Sequence, residues 1–170
     1  NEYYSVNGYS QPAKEVGGDF FDYYELDNEN LAIVIGDASG KGVPAAILAM
    51  TTQVLVKQLL KTERDPSKVL YLLNNQICEH NPESMFITLW LGIYNKNTNI
   101  LTFSNAGHNP PIIKKGDKFE FLDVNAGIVL GIVSGNVLPL ALLLAHTDLG
   151  ISAAVNDFEK LAVHGAEGFG

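Results

Sequence analysis

Five apolar residues in unbroken succession, Leu31-Ala32-Ile33-Val34-Ile35, mark a strand covered on both faces. Ahead of them, Gly18 to Leu26 carries Phe20, Phe21, Tyr23 and Tyr24, a composition that favours a strand. Asp27-Asn28-Glu29-Asn30 lies between the two as a turn, so they form a hairpin. Gly36-Asp37-Ala38-Ser39-Gly40-Lys41-Gly42 is a tight glycine-rich turn. Pro44 suits the start of a helix, which Ala45 to Lys61 continues; Leu55, Leu59 and Leu60 stand at helical spacing. Asp65-Pro66 is a second start signal, and Val69, Leu70, Leu72, Leu73 and Ile77 mark an amphipathic helix to about Glu79. From Ser84 to Tyr94 the chain alternates. Ile87, Leu89, Leu91 and Ile93 face one way and Phe86, Thr88, Trp90 and Tyr94 the other, which predicts a central strand with a layer on each side. Asn95 to Asn99 is a hairpin loop, Ile100 to Ser104 the returning strand, and Asn105 to Pro111 a rigid loop. Ile112-Ile113-Lys114 and Lys118 to Phe121 form a further hairpin around Gly116-Asp117.

Hairpins pair antiparallel, and the helices are segregated from most of the strands, so the fold class is α+β and not a doubly wound parallel sheet. A chain of 170 residues fits a single domain, residues 1–170. Its 46% apolar and 18% charged residues exclude disorder, a collagen repeat and a coiled coil. The net charge of −8 has the wrong sign for a broad nucleic-acid or anionic-membrane surface; it suits a soluble protein, and one that collects cations. Val124 to Thr147 contains no Asp, Glu, Lys or Arg, but three glycines, two asparagines and Pro139 interrupt it. Two buried strands joined at Ser134-Gly135-Asn136 account for it better than a membrane span. Cys78 is the single cysteine, so neither a disulfide framework nor a cysteine zinc site can form, and a cytoplasmic location is expected. The chain opens Asn1-Glu2-Tyr3 with no signal-peptide pattern, as expected of a domain cut from a longer protein.

The chemistry-bearing residues are Asp19, Asp22, Asp37 and the turn around Asp37. Asp19 precedes the first hairpin strand and Asp37 follows the second, so the hairpin brings both carboxylates to one edge of a sheet. Carboxylate and carbonyl oxygens are the preferred ligands of Mg²⁺ and Mn²⁺. The small residue after Asp37 would also let the Ala38 carbonyl approach a metal. One Asp alone is more often an ordinary strand-end carboxylate; two at adjoining strand ends shift the balance. A nucleotide P-loop is excluded, because Gly40-Lys41 is followed by Gly42 and Gly36 is one residue too close. Lys41 reads as a solvated turn residue, with phosphate attraction as the alternative. Trp90 and the strand aromatics read as core. His108 admits an acid role or a structural one, and its place in a loop ending Pro110-Pro111 favours the structural one.

Three segments, Val16-Gly17-Gly18-Asp19-Phe20-Phe21-Asp22, Gly36 to Ala46 and Asn105 to Pro111, closely resemble the stage II sporulation protein E-type phosphatase domain. This is a branch of the metal-dependent, type 2C, protein phosphatases. The resemblance covers about residues 8 to 132. It implies a four-layer αββα sandwich of two antiparallel sheets flanked by helices, with two divalent cations, Mn²⁺ or Mg²⁺, at one edge. Asp37 would bridge both metals, Asp19 would bind one of them and the Ala38 carbonyl would join it, making Asp19 and Asp37 the catalytic pair. The reaction implied is hydrolysis of phosphoserine or phosphothreonine on a regulatory protein such as an anti-sigma-factor antagonist, in bacterial signalling. Implied with it are an upstream sensor domain in the full protein, compatibility with a homodimer, and neither nucleic-acid binding nor membrane insertion by this domain.

After about Ile132 the sequence departs from the family pattern. Thr147-Asp148-Leu149-Gly150 resembles the family's Thr-Asp-Gly with a Leu inserted, which makes Asp148 the candidate third metal aspartate. For that role the strand Leu140 to Ala145 must lie beside Leu31 to Ile35 with its C-terminal end at the metal edge. Val155-Asn156-Asp157 and Glu167 to Gly170 look like weakened versions of the stretch that follows. The family's closing Asp-Asp-x-Thr strand, with the last metal aspartate, is missing. The rival to an active phosphatase is therefore a catalytically impaired binding module on the same fold.

Overall fold

The apolar run at 31–35 becomes the middle of the sheet that positions everything else. A computed structural model describes residues 4–9, 16–81, 84–115, 117–122, 125–136, 138, 140–144, 150–154 and 160–165. In chain order the described elements are β1 (Tyr4–Tyr9), β2 (Asp19–Glu25), β3 (Asn30–Ala38), α1 (Val43–Leu59), α2 (Pro66–Glu79), β4 (Ile87–Asn95), β5 (Ile100–Ala106), β6 (Ile112–Lys115), β7 (Lys118–Phe121), β8 (Leu140–Leu144), β9 (Gly150–Ala154) and β10 (Lys160–Gly165). They form two five-stranded sheets, β2-β3-β4-β5-β8 and β1-β10-β9-β6-β7. Every pairing of named strands is antiparallel.

Strand periodicity divides the core in two. Odd positions of β3 (Leu31, Ile33, Ile35) pack with Trp90, Leu101 and Phe103 against Ile113 and Val6 of the other sheet. Even positions (Ala32, Val34, Ala38) pack with Ile87, Leu89, Leu91 and Ile93 against the helices. Both faces of β3 and β4 are therefore buried, as their apolar runs require. Each fully buried Leu or Ile contributes roughly 1.5–3 kcal/mol relative to its exposed state. Both helices lie on the β2-containing sheet. The α+β class with two face-to-face antiparallel sheets is as expected, and the described elements supply three of the four layers, with no helix among them over the second sheet.

Helix α1 starts at Val43 with Pro44 in its first turn and no side-chain cap, and buries Ala45, Ala49, Thr52 and Val56. Helix α2 starts where Asp65 accepts hydrogen bonds from the Ser67 and Lys68 N–H groups, with Pro66 in its first turn. It buries Val69, Leu70, Leu73, Asn74 and Ile77.

One expected strand is absent. Residues 125–136 run as a loop touching the sheet through isolated bridges, Ala106 with Gly127 and Ile87 with Leu130. Gly131 sits at φ +92°, a left-handed conformation no extended strand contains. Asn74 accepts from its N–H at 2.9 Å and donates to the Val133 carbonyl at 2.7 Å, so α2 holds the loop by side-chain bonds in place of a ladder. β1, β9 and β10 belong to no segment that the apolar pattern had marked as a strand.

Candidate metal centre

The two-to-three hairpin sets the site. Register pairs Asp19 with Asp37, and Asp37 in turn lies opposite Thr88 on β4. Directly opposed residues on one face carry Cβ atoms roughly 4.5–5.5 Å apart. The two carboxylates expected at one sheet edge are therefore cross-strand neighbours. Asp37 shares the parity of Leu31, Ile33 and Ile35, so the row Asp19–Asp37–Thr88 opens into the mouth between the two sheets, where both aspartates are half-buried. Asp22 lies opposite Val34, on the helix-facing side of the same strand, and does not join them. Its carboxylate accepts from the Tyr23 N–H at 2.8 Å. Beside it, burial first and the Asp22 carboxylate second push the Tyr24 hydroxyl well above the usual phenol range.

The Ala38 carbonyl is brought in by a glycine. Ala38 N–H donates to the Gly18 carbonyl at 3.1 Å, and a Cβ placed on Gly18 would sit 2.3 Å from the Ala38 oxygen. Any larger residue at Gly18, which immediately precedes Asp19, would push the start of β2 off this carbonyl. Two carboxylates and one backbone carbonyl would make a hard oxygen donor set, of the kind that fits Mg²⁺ or Mn²⁺. Among the described residues no group of three His, Cys, Asp or Glu side chains gathers.

His108 takes the structural position. Its N–H donates to Asn105 Oδ1 at 2.7 Å, and Asn105 Nδ2 donates to its carbonyl at 2.9 Å, closing the loop on itself. Its Nδ1 hydrogen-bonds Thr88 Oγ1 at 2.9 Å, and its Nε2 is buried with no hydrogen-bond partner among the described residues. Burial holds its pKa down, to about 4, although the Asp19 charge pulls the other way. The ring is therefore neutral near pH 7. Thr88 is the site neighbour the sequence reading passed over as a strand-face residue. Counting the register from the Asn95–Asn99 loop back along β4 brings Thr88 to the start of the loop that holds His108, but its pairing with Asp37 spans both helices and has no local signal.

Asp148 lies outside the described residues, as do 155–157 and 167–170. The strand before Asp148 corrects an expectation. β8 does not lie beside β3; it pairs with β5, Leu140 opposite Ser104 and Leu144 opposite Ile100. Its C-terminal end is thus at the Asn30–Asn95 end of the sheet, away from Asp37. The physical reason is that β3 has both ladders filled, by β2 and β4. The apolar strand 140–144 takes the open edge of β5.

No helix among the described residues is long and apolar enough to cross a membrane. The family model for stage II sporulation protein E (SpoIIE) matches residues 27–146. The chain is 35% identical over 128 residues to the phosphoserine phosphatase RsbU of Bacillus subtilis (strain 168), covering 75% of this chain and 38% of that protein. This chain therefore spans well under half the length of that curated relative. Its fold is shared with the RsbU and RsbW domains of a Mycobacterium tuberculosis protein, at TM-score 0.77 and 20% identity over 88% of this chain and 42% of that one. It is shared also with RsbX crystallised with magnesium, at TM-score 0.74 and 14% identity over 97% and 96%. With the family match spanning both helices and the central strands of the Asp37 sheet, this chain belongs to the stage II sporulation protein E (SpoIIE) family.

Proposed function

We propose that this domain is a metal-dependent protein phosphatase that hydrolyses phosphoserine on a regulatory protein in bacterial signalling. The observation that carries the reading is the Asp19–Asp37 register pair with the Ala38 carbonyl pinned beside it by Gly18. Similarity to the phosphoserine phosphatase RsbU and to the magnesium-bound RsbX supports it. Asp37 would be shared between two cations, Asp19 would hold one of them, and the Ala38 carbonyl would add a neutral ligand. Bound divalent cations would supply activation of water and charge neutralisation at the phosphoryl oxygens. The chain's own part is geometric. β3 fixes Asp37 by hydrogen-bonded strands on both sides, and Thr88, tied to the neutral ring of His108, closes the next position in the row. The reading needs no protein nucleophile. An anti-sigma-factor antagonist fits as substrate by family likeness.

A second reading, a phosphatase-fold binding module with impaired turnover, is favoured by one observation: β8 runs away from the Asp37 edge. Phosphate release from a phosphoserine protein, followed with Mn²⁺ or Mg²⁺ and with a chelator, separates the two. Hydrolysis that the chelator abolishes, and that Asp37→Ala removes while the circular dichroism spectrum is unchanged, supports the phosphatase. Cation and phosphoprotein binding without release of phosphate would establish the binding module instead.

A further inference from the structure

The turn that carries Asp37 and Ala38 continues into an open groove of about 300 Å³, lined by Ser39, Gly40, Lys41, Pro44, Met85 and Phe86. Its two walls are fastened together. Ser39 N–H donates to the Phe86 carbonyl at 2.8 Å, and Phe86 N–H donates to Ser39 Oγ at 2.9 Å. The groove is thus pre-formed, which lowers the ordering cost of binding there. Ser39 and Phe86 stand two residues beyond Asp37 and Thr88 on the same chain segments, so the groove opens roughly 7 Å from the aspartate pair.

Its chemistry is mixed in a specific way. Pro44 is exposed, Met85 is half-buried against the helix-side core, and Phe86 is 40% exposed. An apolar surface beside a polar site is unexplained by the fold, since Phe86 precedes β4 and neighbours a solvent-facing turn. Lys41 is the cation of this lining; it is exposed, and no ion pair among the described residues engages it. In a chain of net charge −8, a phosphorylated peptide approaching the site meets a field of its own sign. A lysine at the mouth offsets that locally. A small phosphate ester would leave the apolar wall uncovered, whereas an extended peptide advances about 3.3 Å per residue and reaches it within two residues of the phosphoserine.

We propose that this groove is a substrate subsite: Pro44, Met85 and Phe86 seat an apolar side chain one or two residues from the phosphoserine, and Lys41 meets the phosphoryl charge. The inference rests on the phosphatase reading above and names the substrate class that reading leaves open. Lys41 thereby gains a role beyond that of a solvated turn residue.

The test is binding, measured by fluorescence anisotropy with peptides carrying a non-hydrolysable phosphonate analogue of phosphoserine. One peptide has leucine at the positions flanking the phosphonate and the other has glycine. Wild-type protein should bind the leucine peptide about tenfold more tightly, the difference expected from one or two buried methylene groups. Phe86→Ser should erase that preference, and Lys41→Ala should weaken both peptides to a similar degree. Equal affinity of the two peptides for the wild type, a preference that survives both Phe86→Ser and Met85→Ser, or no binding of either peptide would overturn the proposal. Metal-dependent hydrolysis of p-nitrophenyl phosphate, which has no flanking residue, reports the reaction separately. Turnover of that ester with no flank preference in binding defeats the groove alone; a flank preference with no turnover of any phosphoester defeats the phosphatase reading alone.

Discussion

His108 shows how a single buried ring couples a loop to the site beside it. Its backbone and Asn105 close the loop, its Nδ1 reaches Thr88, and Thr88 lies across from Asp37. Burial lowers its pKa from 6.5 to about 4. The unfolded chain therefore takes up a proton on this ring at a pH where the folded chain refuses it. The associated stability is fully present above about pH 6.5 and is lost progressively as pH falls through that value towards 4. A shift of this size corresponds to about 3 kcal/mol. Urea denaturation of the metal-free protein at pH 7 and pH 4 should show a stability loss larger by that order in wild type than in His108→Gln. An equal loss in both proteins would mean that the ring already titrates freely in the fold. Asp19 and Asp37 were legible in the sequence because a short turn fixes hairpin register, and counting outward from it pairs the two. Asp22 looked equivalent by type, yet strand alternation turns it to the helix face. The role of Thr88 was not legible from its own surroundings, because it depends on a partner twenty residues away.

Among the elements, α2 carries more than its apolar stripe. Asn74 is fully buried and spans to the loop, accepting from Gly131 N–H and donating to the Val133 carbonyl. Asn75 accepts from Gly135 N–H at 2.8 Å one residue further along the helix. Asn74→Leu keeps the branched shape but strands the buried Gly131 N–H, at a cost of about 1–3 kcal/mol, and leaves the Val133 carbonyl of a half-exposed residue to water. The variant should lose about 1–3 kcal/mol of stability in urea denaturation, and amides at 131–135 should exchange faster than in wild type. Unchanged exchange there would show that the loop is held by its isolated bridges alone. This segment also shows where the apolar pattern misled. Residues 124–133 lack charge and read as a strand, but the glycines within them favour turns, and asparagines on a helix supply the bonds a ladder would have given. β1, β9 and β10 escaped notice for another reason. β1 pairs with β10 across most of the chain, and long-range pairing leaves little local signature. By contrast α1, α2, β3 and β4 were legible because dense apolar periodicity and start signals such as Asp65-Pro66 agree with their tertiary surroundings.

At the scale of the molecule, the sandwich places its strongest scaffolding under its candidate chemistry. β3 is paired on both sides and buried on both faces, and Asp37 sits near its C-terminal end, so the candidate ligand row is held by a strand constrained on every side. The last part of the chain, which departs from the family pattern after about Ile132, adds β8 to the edge of the Asp37 sheet and places β9 and β10 inside the other sheet. Cation binding should therefore depend on the β2–β3 hairpin and not on β8, β9 or β10. The most direct measurement is a Mn²⁺ titration followed by electron paramagnetic resonance, where bound ion loses the sharp signal of free ion. Wild-type protein should bind Mn²⁺, Asp37→Asn should lose that binding, and Asp22→Asn should retain it. Equal Mn²⁺ binding by wild type and Asp37→Asn, or loss in Asp22→Asn alone, would contradict the assignment of the Asp19–Asp37 pair as the metal centre.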